Sequence, residues 1–286
     1  MKYTAKVKTE DQLSTVLADE NSEALMLDYA LIKSIPAMDE RKGKKIFISM
    51  PEVLRELRAE SVAGNLRQLF EEKDFPDKGL PVACSNRNLS RPDGVVIKNI
   101  DEIGFVKKCG LFENVIGDAF LYAYNCRAVS FYKNEFPGMK FILSDELTDD
   151  ENAELVKRSG LKPEEFFYKI YGHQVLMVTN QCFQKNYGGC KNDDGIHRVD
   201  FFDEKENRFI AVSKCREGAC EILSGRPVLM LDKQKEILEK LGKINFLLDF
   251  TIESKKETER ILSLIQKENP EKMDGISRGH HYRGID

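Results

Sequence analysis

The sequence lacks an excess of charge of one sign, and it lacks a long hydrophobic run. Its 286 residues carry a formal net charge of -4, so no global basic field favours binding to nucleic acid or to a membrane surface. No apolar stretch approaches the roughly 20 residues of a membrane span, and the N-terminus has no apolar core of a secretory signal. We therefore expect a cytoplasmic protein that does not enter a membrane.

Familiar nucleotide-binding and metallopeptidase motifs are also missing. No GxGxxG or GxxxxGK[ST] follows the first predicted strand, which removes the usual nucleotide-binding reason for an open α/β sheet. No HExxH is present either, so the sequence shows no zinc peptidase helix. What is present, with 41% hydrophobic and 32% charged residues, is the composition of an ordinary globular protein that can bury a sizeable core.

Short β-rich runs recur along the chain with helical patterns between them, which is typical of parallel strands joined by helical crossovers. Eight such units in about 250 residues predict one eight-stranded β/α barrel of the TIM type over residues 1–286. An open doubly wound sheet is the alternative. The predicted strands begin at Thr4, Ala24, Lys45, Gly94, Asn114, Lys140, Phe166 and Asn245.

One connection is far longer than the others. Between the seventh and eighth strands, residues 179–243 form an insertion, whereas most loops in such folds have roughly 2–6 residues. We predict a cysteine-rich subdomain there, with two short strands around the charged turn DEKEN and a closing helix, DKQKEILEKLG. It holds four of the seven cysteines, which are Cys182, Cys190, Cys215 and Cys220.

These four cysteines flank polar or glycine-rich sequence rather than an apolar stripe. Four thiolates that converge from two loops can hold structural zinc or an iron–sulfur cluster. Unpaired structural thiols and disulfides are the alternatives, and reduced thiols are the default in a chain without a secretion signal. The spacing lacks the tight CxxC pairs of most zinc sites, so chemistry alone leaves the metal open.

Barrel enzymes place their chemistry at the carboxyl ends of the strands. The titratable residues expected to converge there as catalytic groups are Asp118, Glu146 and His173, although a helix cap or a loop anchor is an equally open role for each. The run SRGHHYRGID mixes cations with rings, as contacts to phosphates or bases do, and a docked or disordered end is the alternative. The nucleic-acid contacts predicted from it are Arg278, His280, His281, Tyr282 and Arg283.

Several motifs in this order resemble those of one known family. They are YGHQVLMVTNQCFQKNYGGC, CREGAC, FLLDFTIE and SRGHHYRGID, with VVIKN, DAFLYAYN and KFILSDELT before them. Together they are similar to the collagenase-like peptidase family thirty-two, whose catalytic type is unknown. The resemblance covers most of the chain and is to the carboxyl-terminal portion of the longer members, which carry another barrel-like domain upstream. It implies that such an upstream domain is a partner.

The resemblance implies two activities. The family name implies a peptidase acting on a peptide substrate, whereas several relatives are similar to hydroxylation factors for RNA pyrimidines and ubiquinone precursors. Those relatives hold a 4Fe-4S cluster, whose ligands would here be Cys182, Cys190, Cys215 and Cys220. We therefore expect an iron–sulfur protein acting in hydroxylation of an RNA pyrimidine. A peptidase is the first alternative, and a noncatalytic domain stapled by a cluster or structural zinc is the second.

Overall fold

Eight parallel strands alternate with helices and close into a barrel, which confirms the predicted fold. The computed structural model of the chain describes residues 1–54, 56–70, 91–111, 114–186, 189, 195–214, 219–265, 275–279 and 281. Strands are numbered in chain order, so the eighth barrel strand is β13. The barrel strands are β1 (Tyr3–Val7), β2 (Ser22–Asp28), β3 (Lys45–Ser49), β4 (Gly94–Ile97), β5 (Val115–Gly117), β6 (Lys140–Ile142), β7 (Phe166–Gly172) and β13 (Asn245–Asp249).

The strands pair in chain order around the barrel, and the last returns to the first. Thr4 of β1 lies opposite Ala24 of β2 on one side and Leu247 of β13 on the other. β7 completes the circle, because it pairs with both β6 and β13. A sheet closed in this way leaves no unpaired edge in the barrel itself.

Helices cover the outside of the barrel and begin at recognisable caps. Thr9 and Thr148 each form a capping box with the residue three positions later, Gln12 and Glu151 respectively. The crossover after β2, which contains Pro36, is a 3-10 helix over Tyr29–Ser34 instead of an α-helix. The α-helices are α1 (Glu10–Ala18), α2 (Glu56–Phe70), α3 (Asp101–Lys108), α4 (Cys126–Glu135), α5 (Asp149–Ser159), α6 (Phe183–Asn186), α7 (Gln234–Leu241) and α8 (Lys255–Ile265).

The inserted segment folds as a four-stranded antiparallel sheet in the order β8-β11-β10-β9. Its strands are β8 (Val175–Thr179), β9 (Ile196–Phe202), β10 (Arg208–Lys214) and β11 (Ala219–Ser224). The predicted hairpin around DEKEN is β9 and β10, whereas β8 and β11 were not predicted. The sheet therefore begins at Val175, before the predicted boundary at 179. After it, β12 (Val228–Leu229) pairs antiparallel with β7, and α7 leads to β13.

The hydrophobic core has two layers, which follow from the alternation of side chains along a strand. Outward-facing residues such as Ala5, Leu27 and Ile48 pack against the helices in the larger cluster. Inward-facing residues, among them Met26 and Phe47, fill the barrel interior in a smaller cluster. Within the part of the chain that the structure describes, no helix is long and apolar enough to cross a membrane.

Candidate functional site

A ring of polar side chains lines the carboxyl end of the barrel. The apolar interior layer consists of Ala24, Met26, Phe47, Val96, Ile116, Ile142, Phe167 and Leu247. Two residues beyond this layer, each strand presents a polar residue on the same inward face, because side chains on a strand repeat with period two. The ring consists of Lys6, Asp28, Ser49, Lys98, Asp118, Ser144, Lys169 and Asp249.

Opposite charges in the ring are paired within it. Lys6 Nζ donates a hydrogen bond to Asp118 Oδ2 at 2.8 Å and lies 3.6 Å from Asp249 Oδ2. Burial alone would lower the pKa of Lys6, but the two carboxylates outweigh it and raise that pKa. Burial likewise opposes ionisation of Asp118, and the ammonium groups of Lys6 and Lys98 outweigh it and lower the pKa of the carboxyl. Both groups are therefore charged at neutral pH.

The inserted sheet covers one half of the ring. Lys214, the last residue of β10, lies 3.2 Å from Asp28 Oδ2 and 3.1 Å from Glu52 Oε2, measured from its Nζ. Glu221 of β11 accepts a hydrogen bond from Lys8 Nζ at 2.8 Å. Burial opposes ionisation of Glu52, yet the neighbouring lysines hold its pKa well below the ordinary value. Lys214 of the insertion thus bridges two barrel carboxylates, of which Glu52 also pairs with Lys98 at 2.7 Å.

The remainder of the ring, which we call the open half although it comprises six of the eight ring residues, lines a pocket of about 190 Å³. Its floor is formed by ring residues from β1, β4, β5, β6, β7 and β13, and its rim by the loops after β5 and β6. Lys169 forms an ion pair with Asp145 there, and the Tyr124 hydroxyl donates to Glu146. Val175 and Leu176 of the inserted sheet form an apolar wall. The pocket therefore combines charged, hydroxyl and apolar surface at the face where barrel enzymes act.

Gly172 at the end of β7 allows Asp249 to take its place in the ring. Its φ of +148° is accessible to glycine, and a Cβ there would lie 2.6 Å from the Asp249 carbonyl oxygen. Any side chain would push β7 away from β13 beside the pocket. The Asp249 side chain is 11% exposed, and its buried Oδ1 accepts no hydrogen bond from the residues that the structure describes.

Two of the three predicted catalytic residues line the pocket. Asp118 lies on its floor and Glu146 on its rim. His173 is not among the lining residues, and it is buried behind β7, where its Nδ1 donates to the Ser224 carbonyl at 2.6 Å. Burial is the main cause that lowers the pKa of His173. This contact anchors the inserted sheet to the barrel, and a catalytic role for the three residues stays a prediction.

Two of the four predicted cysteine ligands are brought together. Cys182 Sγ lies 4.0 Å from Ser213 Oγ, and that hydroxyl donates to Cys220 Sγ at 3.6 Å. Burial raises the pKa of the Cys220 thiol. The other two predicted ligands, Cys190 and Cys215, lie outside the described residues. Among the described residues no group of three or more His, Cys, Asp or Glu side chains has the arrangement of a metal site.

The predicted nucleic-acid contacts are packed where they are described. Arg278 forms a bidentate pair with Asp232, at 2.6 and 2.8 Å, and also donates to the Leu229 carbonyl. His281 is buried, with its Nδ1 2.8 Å from the Tyr168 hydroxyl and 3.1 Å from Asp149 Oδ1. His280, Tyr282 and Arg283 lie outside the described residues. Contact with nucleic acid by these five residues stays a prediction.

A GxSxG pattern from Gly275 to Gly279, which was not predicted, overlaps the start of this C-terminal run. In hydrolases this motif turns sharply from a strand into a helix and exposes the serine. Here Ser277 forms an isolated bridge with Val228, and its Oγ accepts a hydrogen bond from the Gly279 amide at 3.0 Å. The surroundings are those of a docked tail, so the pattern does not form a nucleophile elbow.

Sequence reasoning also missed most of the ring. The signal for it was available, because Lys6 and Lys169 stand on the inward face of largely apolar strands and Lys98 directly follows the apolar strand β4. A charged residue at such a position needs a partner, and eight strands ending in this way imply a shared polar layer. The partners Glu52 and Lys214 had no comparable signal, since they lie in a loop and in the insertion.

Comparison with known proteins adds little to this geometry. No family model matches the chain, and no curated protein matches it. The chain is similar to the C-terminal domain of a candidate chitinase from Desulfitobacterium hafniense DCB-2, with 9% identity and a TM-score of 0.42 over 92% of this chain and 98% of that one. Chitinase ChiW from Paenibacillus sp. str. FPU-7 gives 10% identity and a TM-score of 0.41, covering 96% of this chain and 44% of that one.

The spore cortex-lytic enzyme SleL of Bacillus cereus is similar at 9% identity, with a TM-score of 0.40 over 92% of this chain and 73% of that one. Identities and TM-scores this low say nothing about what the chain binds or catalyses, because one barrel architecture supports many activities. The function must therefore be inferred from the side chains of the barrel mouth and of the insertion.

Proposed function

We propose that the chain is an iron–sulfur protein that acts in hydroxylation of a pyrimidine in RNA. Its cluster ligands are Cys182, Cys190, Cys215 and Cys220, and its substrate pocket is the open half of the barrel mouth. The observation that carries the proposal is the convergence of Cys182 and Cys220 on the Ser213 hydroxyl in the inserted sheet.

The donor set suits a cluster. Cysteine thiolates are the usual ligands of [4Fe–4S] centres, and a buried thiol such as that of Cys220 is released as a thiolate when metal replaces its proton. Cys215 directly follows Lys214, the last residue of β10, and Cys190 directly follows Gly189, so both belong to the same insertion. When bound, a cluster there supplies one-electron transfer.

The thiols and the pocket lie on opposite faces of the inserted sheet. Cys220 and Glu221 are neighbours on β11, and Glu221 lines the pocket and pairs with Lys8. Successive side chains on a strand point to opposite faces, so a group held by Cys220 is separated from the pocket by the thickness of this sheet. Within the pocket, Glu146 is the proposed acid or base, because it lies on the rim and already accepts the Tyr124 proton donor.

The two alternatives have less support from the site. A peptidase needs an activated nucleophile or an open metal site, and among the described residues that line the pocket there is no cysteine or histidine. The GxSxG pattern at Ser277 lies in the docked tail rather than at a nucleophile elbow. A zinc staple uses the same thiolates, so metal analysis must distinguish it from a cluster.

Anaerobic purification with iron and sulfide analysis tests the cluster. We expect a brown protein with about four iron and four sulfide per chain and visible absorption that bleaches on reduction. Cys182→Ser and Cys220→Ser should lose the iron, whereas Cys126→Ser, at the first position of α4, should retain it as the matched control. Stoichiometric zinc without iron would replace the cluster with a structural metal and remove the hydroxylation proposal.

Nucleoside mass spectrometry of RNA tests the reaction. RNA from cells without the gene should lack one pyrimidine modification that carries an added oxygen, and the wild-type gene should restore it. The Cys220→Ser variant should not restore it, whereas Cys126→Ser should. An unchanged nucleoside profile, combined with cleavage of gelatin by protein freed of metal, would instead favour the peptidase.

A further inference from the structure

We propose that the outer edge of the inserted sheet, strand β9, is a docking surface for a second copy of this chain. The two copies pair antiparallel through β9, about a two-fold axis that is perpendicular to the sheet and passes between the two copies of Val199. The inserted sheets of both copies then form one continuous sheet of eight strands. This inference concerns assembly and does not depend on the proposed function.

Exposed hydrophobic side chains are concentrated on the inserted sheet. Among the described residues, ten large hydrophobic side chains are exposed, and five of them lie on β8 and β9. On β9 they are Ile196, Val199 and Phe202, which are 60%, 42% and 63% exposed. An apolar surface of this kind, interrupted by charged residues, marks a site of protein–protein contact.

Strand β9 stands clear of the barrel. Ile210 and Val212 of β10 face the barrel and are buried. Their partners on β9 are Asp200 and Arg198. Directly opposite side chains share one face of a sheet, yet the side chains of these two partners are 38% and 44% exposed. The sheet therefore leaves the barrel surface between β10 and β9, and a second chain can approach this edge.

The edge lacks most of the features that prevent strands from pairing edge to edge. β9 has seven residues in unbroken register with β10, and it contains no proline and no lysine. β8, at the other end of the sheet, has a register shift against β11 and lies against the pocket through Leu176. Within the part of the chain that the structure describes, β10 is the only strand that pairs with β9. A long and regular edge of this kind is a template for another strand.

The sequence of β9, IHRVDFF, is complementary to itself in the antiparallel direction. With Val199 opposite Val199, Arg198 lies opposite Asp200 of the second copy. Ile196 lies opposite Phe202 of the second copy in the same register. The two-fold axis repeats each contact, so the edge supplies two ion pairs and two apolar pairs around a central valine pair. Such cross-strand pairs stabilise a sheet.

Other registers of the two strands are disfavoured by charge or by the faces of the sheet. A shift by two residues in one direction places Arg198 opposite Arg198, and the same shift in the other direction places Asp200 opposite Asp200. Like charges at directly opposed positions are destabilising. A shift by one residue would exchange the faces of all side chains of one strand. The register centred on Val199 is therefore the one that the sequence specifies.

The charged groups are available for this exchange in the single chain. Arg208 holds Asp200 through two hydrogen bonds to Oδ2, at 2.6 and 3.1 Å. Asp200 Oδ1 receives only the Nε of Arg198, at 3.4 Å, among the described residues. The carboxylate can therefore keep Arg208 and accept Arg198 of the second copy at Oδ1, which leaves no charge unpaired in the dimer.

Sedimentation velocity of the full chain, purified anaerobically, tests the docking surface. The protein concentration runs from about 1 μM to about 1 mM, which spans the dissociation constants of weak interfaces. We expect one chain to convert into two as the concentration rises, without larger species, because a two-fold contact closes after two copies. A wild type that stays monomeric over this range, or that forms open-ended assemblies, would overturn the inference.

Charge reversal tests the register. Arg198→Asp makes both charged positions of the edge acidic, and Asp200→Arg makes both basic. Each variant alone should dimerise about tenfold or more weakly than the wild type, because like charges then face each other twice. An equimolar mixture of the two variants should form a mixed dimer about as tightly as the wild type does. A mixture that stays as monomeric as its components would contradict the pairing.

Two further variants separate pairing from net charge and from folding. Arg158→Asp on α5 makes the same charge change at an exposed ion pair with Glu154, and it should leave the dissociation constant unchanged. If it weakens the dimer as Arg198→Asp does, net charge and not β9 controls association. Val199→Lys places two ammonium groups at the axis and leaves the pairs of Asp200 intact, so it should weaken the dimer about tenfold while the melting temperature stays near that of the wild type. Unchanged dimerisation of Val199→Lys would refute the proposed axis.

Discussion

The two halves of the barrel mouth carry the same kinds of side chain but differ in what lies over them. On the β2 and β3 side, Lys214 reaches down to Asp28 and Glu52, and all three side chains are at most 7% exposed. On the β6 and β7 side, Lys169 pairs with Asp145, whose side chain is 17% exposed, and Glu146 beside it faces solvent. The insertion covers the first half, which we call the sealed half, with Glu52 at its border with the pocket, and the second half is the pocket itself.

The difference shows what the insertion does for the barrel. A carboxylate removed from water is strongly penalised unless a cation and hydrogen bonds compensate it. Lys214 compensates two of them, so the sealed half is a structural network that joins the inserted sheet to the barrel. The open half keeps similar groups within reach of a ligand, which is the arrangement expected of a functional site.

Removing the cation of the sealed half should have the largest effect on stability. In Lys214→Met, Asp28 and Glu52 remain buried without their shared partner, so we expect the free energy of unfolding to fall by about 3–5 kcal/mol. Urea unfolding of both proteins at pH 7 measures this difference. The variant should also lose the attachment of the inserted sheet before the barrel unfolds, visible as faster proteolysis of the insertion.

The matched control is Lys235→Met on α7, where the side chain is 92% exposed and lies 3.9 Å from Glu239. Such surface pairs contribute little, so the free energy of unfolding should change by less than about 0.5 kcal/mol. Equal losses in the two variants would mean that Lys214 is not compensating buried charge, and the comparison between the halves would fail.

Removing Lys169, the corresponding lysine of the open half, should lower the free energy of unfolding by less. In Lys169→Met, water can reach the half-buried Asp145, so part of the lost ion pair is replaced by hydration. We expect a loss of about 1.5–3 kcal/mol in the free energy of unfolding, below that of Lys214→Met, measured in the same urea series. A larger loss for Lys169→Met than for Lys214→Met would reverse the assignment of sealed and open halves.

The barrel itself was predictable because its signals are local. Apolar runs such as GVVI and NFLLD are short enough to be strands and are separated by helical periodicity, which identifies parallel crossovers. Helix starts such as Thr9 and Thr148 follow capping rules that depend on four residues. The closing of the barrel then follows from the number of units.

The site was only partly predictable because it depends on contacts between distant segments. Asp118 was found because it ends a strand, but its partner Lys6 lies more than a hundred positions away and was not considered. β8, with the sequence VLMVT, was missed because it follows β7 after only two residues, and β11 was missed because it lies inside the cysteine-bearing insertion. Lys214 becomes a ring partner only after the insertion folds back, which no local pattern records.

Glu102 is a buried carboxyl near the ring, and it tests whether ion pairing or burial controls the ionisation of carboxyls there. Burial raises the pKa of Glu102 to about 8, because the carboxylate is enclosed at the start of α3 and the hydrogen bond and charge that Lys98 provides offset this only in part. It accepts from the Lys98 amide at 2.6 Å and from Asn99 Nδ2 at 2.8 Å. By contrast, the lysine partners of Asp28 and Asp118 outweigh burial and lower the pKa of each.

The pH dependence of stability follows from this difference. The folded protein keeps a proton on Glu102 that the unfolded chain loses above its ordinary pKa of 4.5, so this residue's contribution is full below 4.5 and is lost as pH rises through about 8. The slope is at most about 1.4 kcal/mol per pH unit. Urea unfolding of the wild type and Glu102→Gln at pH 5.5, 6.5 and 7.5 measures this slope, because glutamine cannot ionise and resembles the protonated acid.

We expect the wild type to lose stability relative to Glu102→Gln as pH rises. We expect no such trend for the control Glu60→Gln, on the exposed face of α2. If the difference in free energy of unfolding between the wild type and Glu102→Gln did not change with pH, Glu102 would be ionised in the folded protein, as Asp28 and Asp118 are. Burial would then not be what controls the ionisation of Glu102.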